Sequence, residues 1–206
     1  AIVAEGFTKE EMPLFISKAK DVAEELFKHK AFANHEEVFT IVAIETVSQE
    51  SGVSNPHTNH WKNSILQSNF GTFYSERYLT TSRIKNLHNQ LAGTPYDHII
   101  ILANTDIYGG GGIFNAYTLT TSNHIKFAPV VVHEFGHSFA GLADEYFYAV
   151  DVFENTGTNQ IEPWEQNITS LANFDLKWKN MLQKETPIPT ETKDLDKYRI
   201  GVYEGL

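Results

Sequence analysis

Cysteine is absent from this 206-residue chain. That excludes disulfides, cysteine-ligated zinc and thiol catalysis. Basic residues are few: Lys and Arg total 16 against 26 Asp and Glu, for a net charge of −10 and a pI near 5.3. Nucleic acid and anionic bilayers are poor partners for that balance. No stretch has the apolar length of a membrane span. The chain opens on Ala1 with no signal-peptide pattern, so it reads as a processed or excised piece of something longer. Hydrophobic residues make up 41% and charged residues only 20%, a composition that folds rather than stays disordered. Its length suits one large domain, 1–206, in which 150–206 forms a C-terminal subdomain. Nine histidines without cysteine leave His, Asp and Glu as the metal ligands on offer.

Thr8 to about Lys30 reads as an amphipathic helix, opened by the capping-box pair Thr8 and Glu11. Phe15, Ala19, Val22, Ala23, Leu26 and Phe27 recur at helical spacing. Val38 to Val47 is β-branched and nearly continuous, the pattern of a buried strand. Ser48 to Trp61 is a long polar loop. A second helix is expected over about Ser75 to Leu91, a strand over Asp97 to Asn104, and an edge-type strand over Ile113 to Ser122. Gly109 to Gly112 is a flexible run and a candidate mobile lip. It lacks the Lys-Ser/Thr ending of a phosphate loop. Pro129 marks a helix start. Beyond Tyr148 the chain is less regular, with a helix expected near Asn173 to Leu182. The alternation predicts an α/β (α+β) fold, a mixed twisted sheet layered with helices.

The chemistry concentrates in Val130 to Tyr146, VVVHEFGHSFAGLADEY. His133-Glu134-x-x-His137 is a His-Glu-x-x-His zinc motif. Residues four apart on a helix differ by roughly 40° about its axis, so both imidazoles share one face and one metal. Glu134 sits beside that face, displaced from ligation but placed to take a proton from a water the metal activates. Val132, Phe135 and Phe139 lie opposite and are expected to bury the helix against the sheet. A catalytic zinc site takes three protein ligands. Gly141 is expected to stop the helix in a left-handed conformation, after which Asp144 and Glu145 can turn back toward the metal. In the metzincin zinc peptidases a glycine precedes the third ligand by three residues, as Gly141 precedes Asp144. Asp144 is therefore the favoured third ligand and Glu145 the alternative.

The likeness extends beyond this window. HEFGHSFAGLADEY resembles the active-site signature of the bacterial IgA metallopeptidase family, which is allied to the metzincins. Ala4 to Thr8 (AEGFT) resembles that family's opening Ala-Glu-Gly-Tyr-Thr, and Ser48 to Gly52 its Ser-x-Glu-Ser-Gly segment. Tyr96-Asp97, Asn104-Thr105, Tyr108-Gly109-Gly110, Glu162-Pro163-Trp164, Asn167-Ile168-Thr169, Trp178-Lys179, Pro187 to Thr190 and Gly201 to Gly205 are similar as well. The resemblance implies a metzincin-like catalytic domain and a secreted, cell-surface or periplasmic bacterial zinc endopeptidase acting on protein or peptide. It implies His133, His137 and Asp144 as zinc ligands and Glu134 as general base. It also leads one to expect a further Tyr-Arg-Pro element and a methionine beneath the metal. Met12 and Met181 are the two methionines here, and neither has that context.

Tyr146, Tyr203 and His124 are candidate oxyanion donors. The strand through Asn115, Tyr117 and Leu119 is a candidate for pairing with an extended substrate. His57 and His60 are a weaker candidate pair for a second metal, Glu50 and Ser51 read as turn caps, and Asn167-Ile168-Thr169 matches a glycosylation acceptor. A second function class is a non-cleaving, metal-containing module that binds host protein or glycan. Intact Glu134 favours the peptidase, because a structural site needs no carboxylate beside the metal.

Overall fold

Thr8 and Glu11 open the first helix as their spacing predicts. The computed structural model describes residues 1–146 and 161–204. In it the Thr8 N–H donates to Glu11 Oε2 at 2.8 Å within a capping box. A 3-10 turn at Lys9–Glu11 leads into α1, Met12–Lys28, which buries Met12, Phe15, Ala19, Val22 and Leu26 along one stripe. Before it lies β1, Ile2–Glu5. β1 pairs in parallel with β2 (Ala43–Ile44) on one side. The short strands β3 (Asn69–Phe70) and β4 (Leu79–Thr80) form a separate antiparallel pair, followed by α2, Ile84–Gln90. β5 (Ile100–Ala103) returns to the far side of β1, again in parallel. β6 (Gly110–Ile113) and β7 (Tyr117–Thr121) form a hairpin in which β7 lies parallel to β5. The sheet order is β2-β1-β5-β7-β6, so β6 is the outer, antiparallel strand. α3, Phe127–Ala140, follows β7.

Alternation along the strands divides the core in two. Ile2, Ala4, Ile100 and Leu102 face α1 and α3, packing with Phe7, Phe15, Val131 and Phe135. Val3, Ile101, Ala103, Tyr117 and Leu119 face the other way, toward Leu66, Phe70, Leu79, Leu87 and Leu91. Both faces of β1 and β5 are covered, which is why their sequences read as unbroken apolar runs. The exception is Glu5, fully buried at the end of β1. Its carboxylate accepts hydrogen bonds from Ser64 Oγ (2.7 Å), the Leu66 N–H (2.9 Å) and the Ser68 N–H (2.8 Å). One buried carboxyl group thereby ties the 64–68 segment to the sheet, and these bonds offset the cost of burying it.

Four expectations are corrected. Val38 to Val47 pairs only at Ala43–Ile44, and Val38 is 72% exposed; β2 is an outer strand with one neighbour. The helix expected from Ser75 begins at Ile84, because β4 occupies 79–80. The expected helix over 173–182 is two 3-10 turns, Phe174–Leu176 and Lys179–Met181. The strand read as edge-type, 113–122, splits: β7 is interior and fully buried, and the glycine run forms the outer strand β6.

The chain divides into two compact units, Ala1–Ala140 and Gly141–Leu206. The second has little regular structure among its described residues and is held by side chains reaching backbone. Glu162 Oε2 accepts from the Asn173 N–H at 2.8 Å, Trp178 Nε1–H donates to the Gly201 carbonyl at 2.9 Å, and the Val202 N–H donates to Thr190 Oγ1 at 2.9 Å. Among its described residues Phe174, Tyr198 and Val202 are buried apolar side chains. Part of the irregular stretch expected after Tyr148, and Gly205, lie outside the described residues.

Candidate metal centre

α3 is seated by small and apolar residues on one side. Val131 and Phe135 enter the core shared with α1. Ser138 Oγ hydrogen-bonds Thr118 Oγ1 of β7. Phe139, expected opposite the motif, packs at the margin with its ring centroid 5.0 Å from Phe135 and 4.5 Å from His98. Burial pulls His98 below the usual histidine range; Asp97 opposes that shift and the Ala1 ammonium adds to it.

The other side of α3 carries the motif. His133 and His137 stand one turn apart with ring centroids 4.5 Å apart, and their Nε2 atoms converge to 3.0 Å. Two nitrogens bound to one tetrahedral zinc, each at about 2.0–2.1 Å, stand roughly 3.3 Å apart, so the pair fits a shared ion closely. Just past the helix Gly141 takes φ +63°, the left-handed stop expected from its position. Asp144 follows on the same short stretch of chain. One ligand atom each from His133, His137 and Asp144 lie within 4.8 Å of one another. Two imidazoles and one carboxylate suit zinc. Glu145 is outside this group; its Oε1 accepts a hydrogen bond from Asn167 Nδ2 at 2.9 Å.

β6 forms the wall beside the motif. A Cβ at Gly110 would lie 2.8 Å from Glu134 Cγ and 2.9 Å from its Oε1. A Cβ at Gly112 would lie 2.3 Å from the Glu134 carbonyl oxygen and 2.7 Å from His137 Cβ. Only strand residues without side chains allow α3 this close. The glycine run expected as a mobile lip is therefore a packed strand, a role the sequence reading missed. Its signal was a block of glycines shortly before a metal-motif helix.

The model of the family described as IgA Peptidase M64 matches residues 1–202. The chain belongs to that family. No curated protein matches it. Membership makes this M64 chain a peptidase, implies a protein substrate and implies a metal, and the His133, His137 and Asp144 group fits one.

The remaining candidates fare differently within the M64 fold. His124 lies three residues before α3: its carbonyl accepts the Phe127 N–H at 2.9 Å and its Nδ1 accepts the Lys126 N–H at 3.1 Å. Tyr203 donates its hydroxyl proton to the Tyr198 carbonyl. Tyr146 is 38% exposed. Asn115, at φ +59°, sits in the β6–β7 turn. Tyr117 and Leu119 belong to β7, already paired on both sides. The expected substrate-pairing strand is thus corrected, because β7 has no free edge. His60 Nδ1 bonds Thr58 Oγ1 at 2.9 Å. Among the described residues no group of three candidate ligands includes His57 or His60. Glu50 and Ser51, read as turn caps, reach distant segments instead: Glu50 Oε2 accepts the Asn63 N–H at 2.7 Å, and Ser51 Oγ donates to Glu11 Oε1 at 2.7 Å.

Proposed function

We propose that this chain is a zinc-dependent endopeptidase. His133, His137 and Asp144 hold the ion and Glu134 serves as general base. The observation that carries the reading is the convergence of the two imidazole Nε2 atoms at 3.0 Å with an Asp144 oxygen in the same 4.8 Å group. Zinc held there supplies a Lewis acid for the scissile carbonyl and an acidified water. Glu134 would act as the general base, its carboxylate moving a proton between the attacking water and the leaving amine. Its side chain lies against Gly110 of β6, which leaves the carboxylate beside the imidazole pair at the margin of α3. Tyr146 is the candidate donor to the developing oxyanion.

β6, with β7 on one side, offers its outer edge to an extended peptide by strand addition. The Tyr78–Gly110 bridge occupies the Gly110 end, which leaves the Gly112 end for substrate. Action on proteins outside a bacterial cell, immunoglobulin or other host proteins among them, follows as the setting from the family likeness. The alternative of a non-cleaving binding module gives Glu134 no task.

The test is zinc content by mass spectrometry together with hydrolysis of a fluorogenic peptide library. The parent should hold one zinc per chain. Asp144→Ala should lose most of it. Glu134→Gln should keep zinc and lose nearly all turnover; turnover retained in zinc-loaded Glu134→Gln overturns the mechanism.

A further inference from the structure

We propose that Asn167 is the positioning residue for the third metal ligand; this rests on the zinc site proposed above. Asp144 lies in an irregular stretch, 141–146, with no helix or strand to fix it. Backbone groups in such a stretch need partners from elsewhere. Asn167 supplies them on both sides of Asp144. Its Oδ1 accepts the Ala143 N–H at 2.9 Å. Its Nδ2 donates to the Ala143 carbonyl at 2.9 Å and to Glu145 Oε1 at 2.9 Å. An asparagine amide has one carbonyl and two N–H donors, and all three kinds of contact are made here. The amide orientation is also fixed: flipped, it would set its NH2 against the Ala143 N–H and its oxygen against a carbonyl and a carboxylate.

The residue before Asp144 is thereby held through its backbone and the residue after it through its side chain. The arrangement divides the adjacent acids between two tasks, with Asp144 in the ligand group and Glu145 engaged by the clamp. It also gives Asn167 a role other than the glycosylation acceptor its Asn-Ile-Thr context suggests: a glycan on Nδ2 would displace donors already in use.

The experiment measures the zinc dissociation constant of the full chain by chelator competition for the parent, His133→Ala, Asn167→Ala and the isosteric Asn167→Asp. Thermal midpoints of the metal-free proteins are measured alongside. Asn167→Asp keeps the acceptor for Ala143 but loses both donations and opposes Glu145 with a second carboxylate. Partners that orient metal ligands typically contribute about 10–100-fold to affinity, and a loss in that range is expected for both Asn167 variants at an unchanged metal-free midpoint. Excess zinc should restore their kcat, which a purely structural defect would not permit. If Asn167→Ala does not fold, Asn167→Asp carries the test. Affinity within twofold of the parent in a folded Asn167 variant overturns the inference while leaving the zinc site standing. Failure of the parent to bind zinc, or undiminished zinc in His133→Ala, overturns the site and the inference together.

Discussion

Gly110→Ala separates the placement of Glu134 from the stability of the fold. The added methyl carbon would lie 2.8 Å from Glu134 Cγ and 3.1 Å from its Cδ. Carbon atoms pack comfortably at about 3.5–4.0 Å, so the side chain must retreat by roughly 0.7–1.2 Å. The atoms displaced belong to a side chain rather than to backbone, and Gly110 is outside the left-handed region. A rotamer adjustment of this kind costs about 0.5–1.5 kcal/mol. Replacing a strand glycine by alanine returns about 0.5–1 kcal/mol in backbone entropy. Global stability should therefore change little. Catalysis should not be spared, because a misplacement of about 1 Å can cost on the order of 100-fold, or roughly 2.7 kcal/mol of barrier. The assay is kcat on a peptide substrate at saturating zinc, with zinc content and urea midpoint measured on the same preparation. The expected result is a loss near 100-fold at full zinc occupancy and a near-parental midpoint. A kcat within threefold of the parent at equal zinc loading would refute the role given to β6.

Gly112→Ala should behave differently. Its methyl meets the Glu134 carbonyl oxygen at 2.3 Å and His137 Cβ at 2.7 Å, so backbone must move; a stability loss of about 1–3 kcal/mol should accompany weaker zinc binding, and a parental urea midpoint would contradict this. Phe135→Ala, at a 4% exposed ring packed on Phe32 and Phe139, should cost about 3–5 kcal/mol in urea unfolding, with a cost under about 1 kcal/mol counting against the aromatic seat of α3. His98 is lowered from 6.5 mainly by burial, with Asp97 and the Ala1 ammonium as its charged neighbours. The folded state thus binds fewer protons at this site, and its contribution to stability is present above pH about 6.5 and lost as pH falls toward the lowered value. His98→Gln should flatten the fall in urea midpoint between pH 7.5 and 5.5, and an identical slope in parent and variant would remove His98 as its source.

The metal motif was legible because its geometry is local. His133, Glu134 and His137 lie within two turns of one helix, and the period of an α-helix alone sets their relative directions. Gly141 was legible for the same reason, since a left-handed stop is a property of one residue. Val38 to Val47 was misread because apolar β-branched character does not reveal what it packs against. Phe39, inside that run, joins an aromatic cluster with Phe27, Phe32 and Phe139 instead of extending a strand. Glu5 and Asn167 were missed as organisers because their partners lie 59 or more and 22 or more residues away, respectively. A buried carboxylate, like an amide clamp, becomes visible only when the chain has brought its donors to it.

The glycine run shows how composition and packing can point in opposite directions. Four glycines suggest freedom, and in an unfolded chain they have it. In the fold, successive strand residues face opposite sides, and each side here is pressed. Gly110 and Gly112 face Glu134 and His137 of α3; Cβ atoms at Gly109 and Gly111 would meet the carbonyl oxygens of Arg77 and Leu79, at 2.4 Å and 2.8 Å. The outer strand is clasped between the motif helix and the β3–β4 segment at a separation where any added Cβ would force a neighbour to shift. Ordering glycine in a strand costs about 0.5–1 kcal/mol per position relative to alanine, with no apolar side chain to offset it. A strand meant only to complete the sheet would be more stable built from valine. What the glycines gain is approach: they bring the outer strand of the sheet against the very helix turn that carries Glu134 and His137.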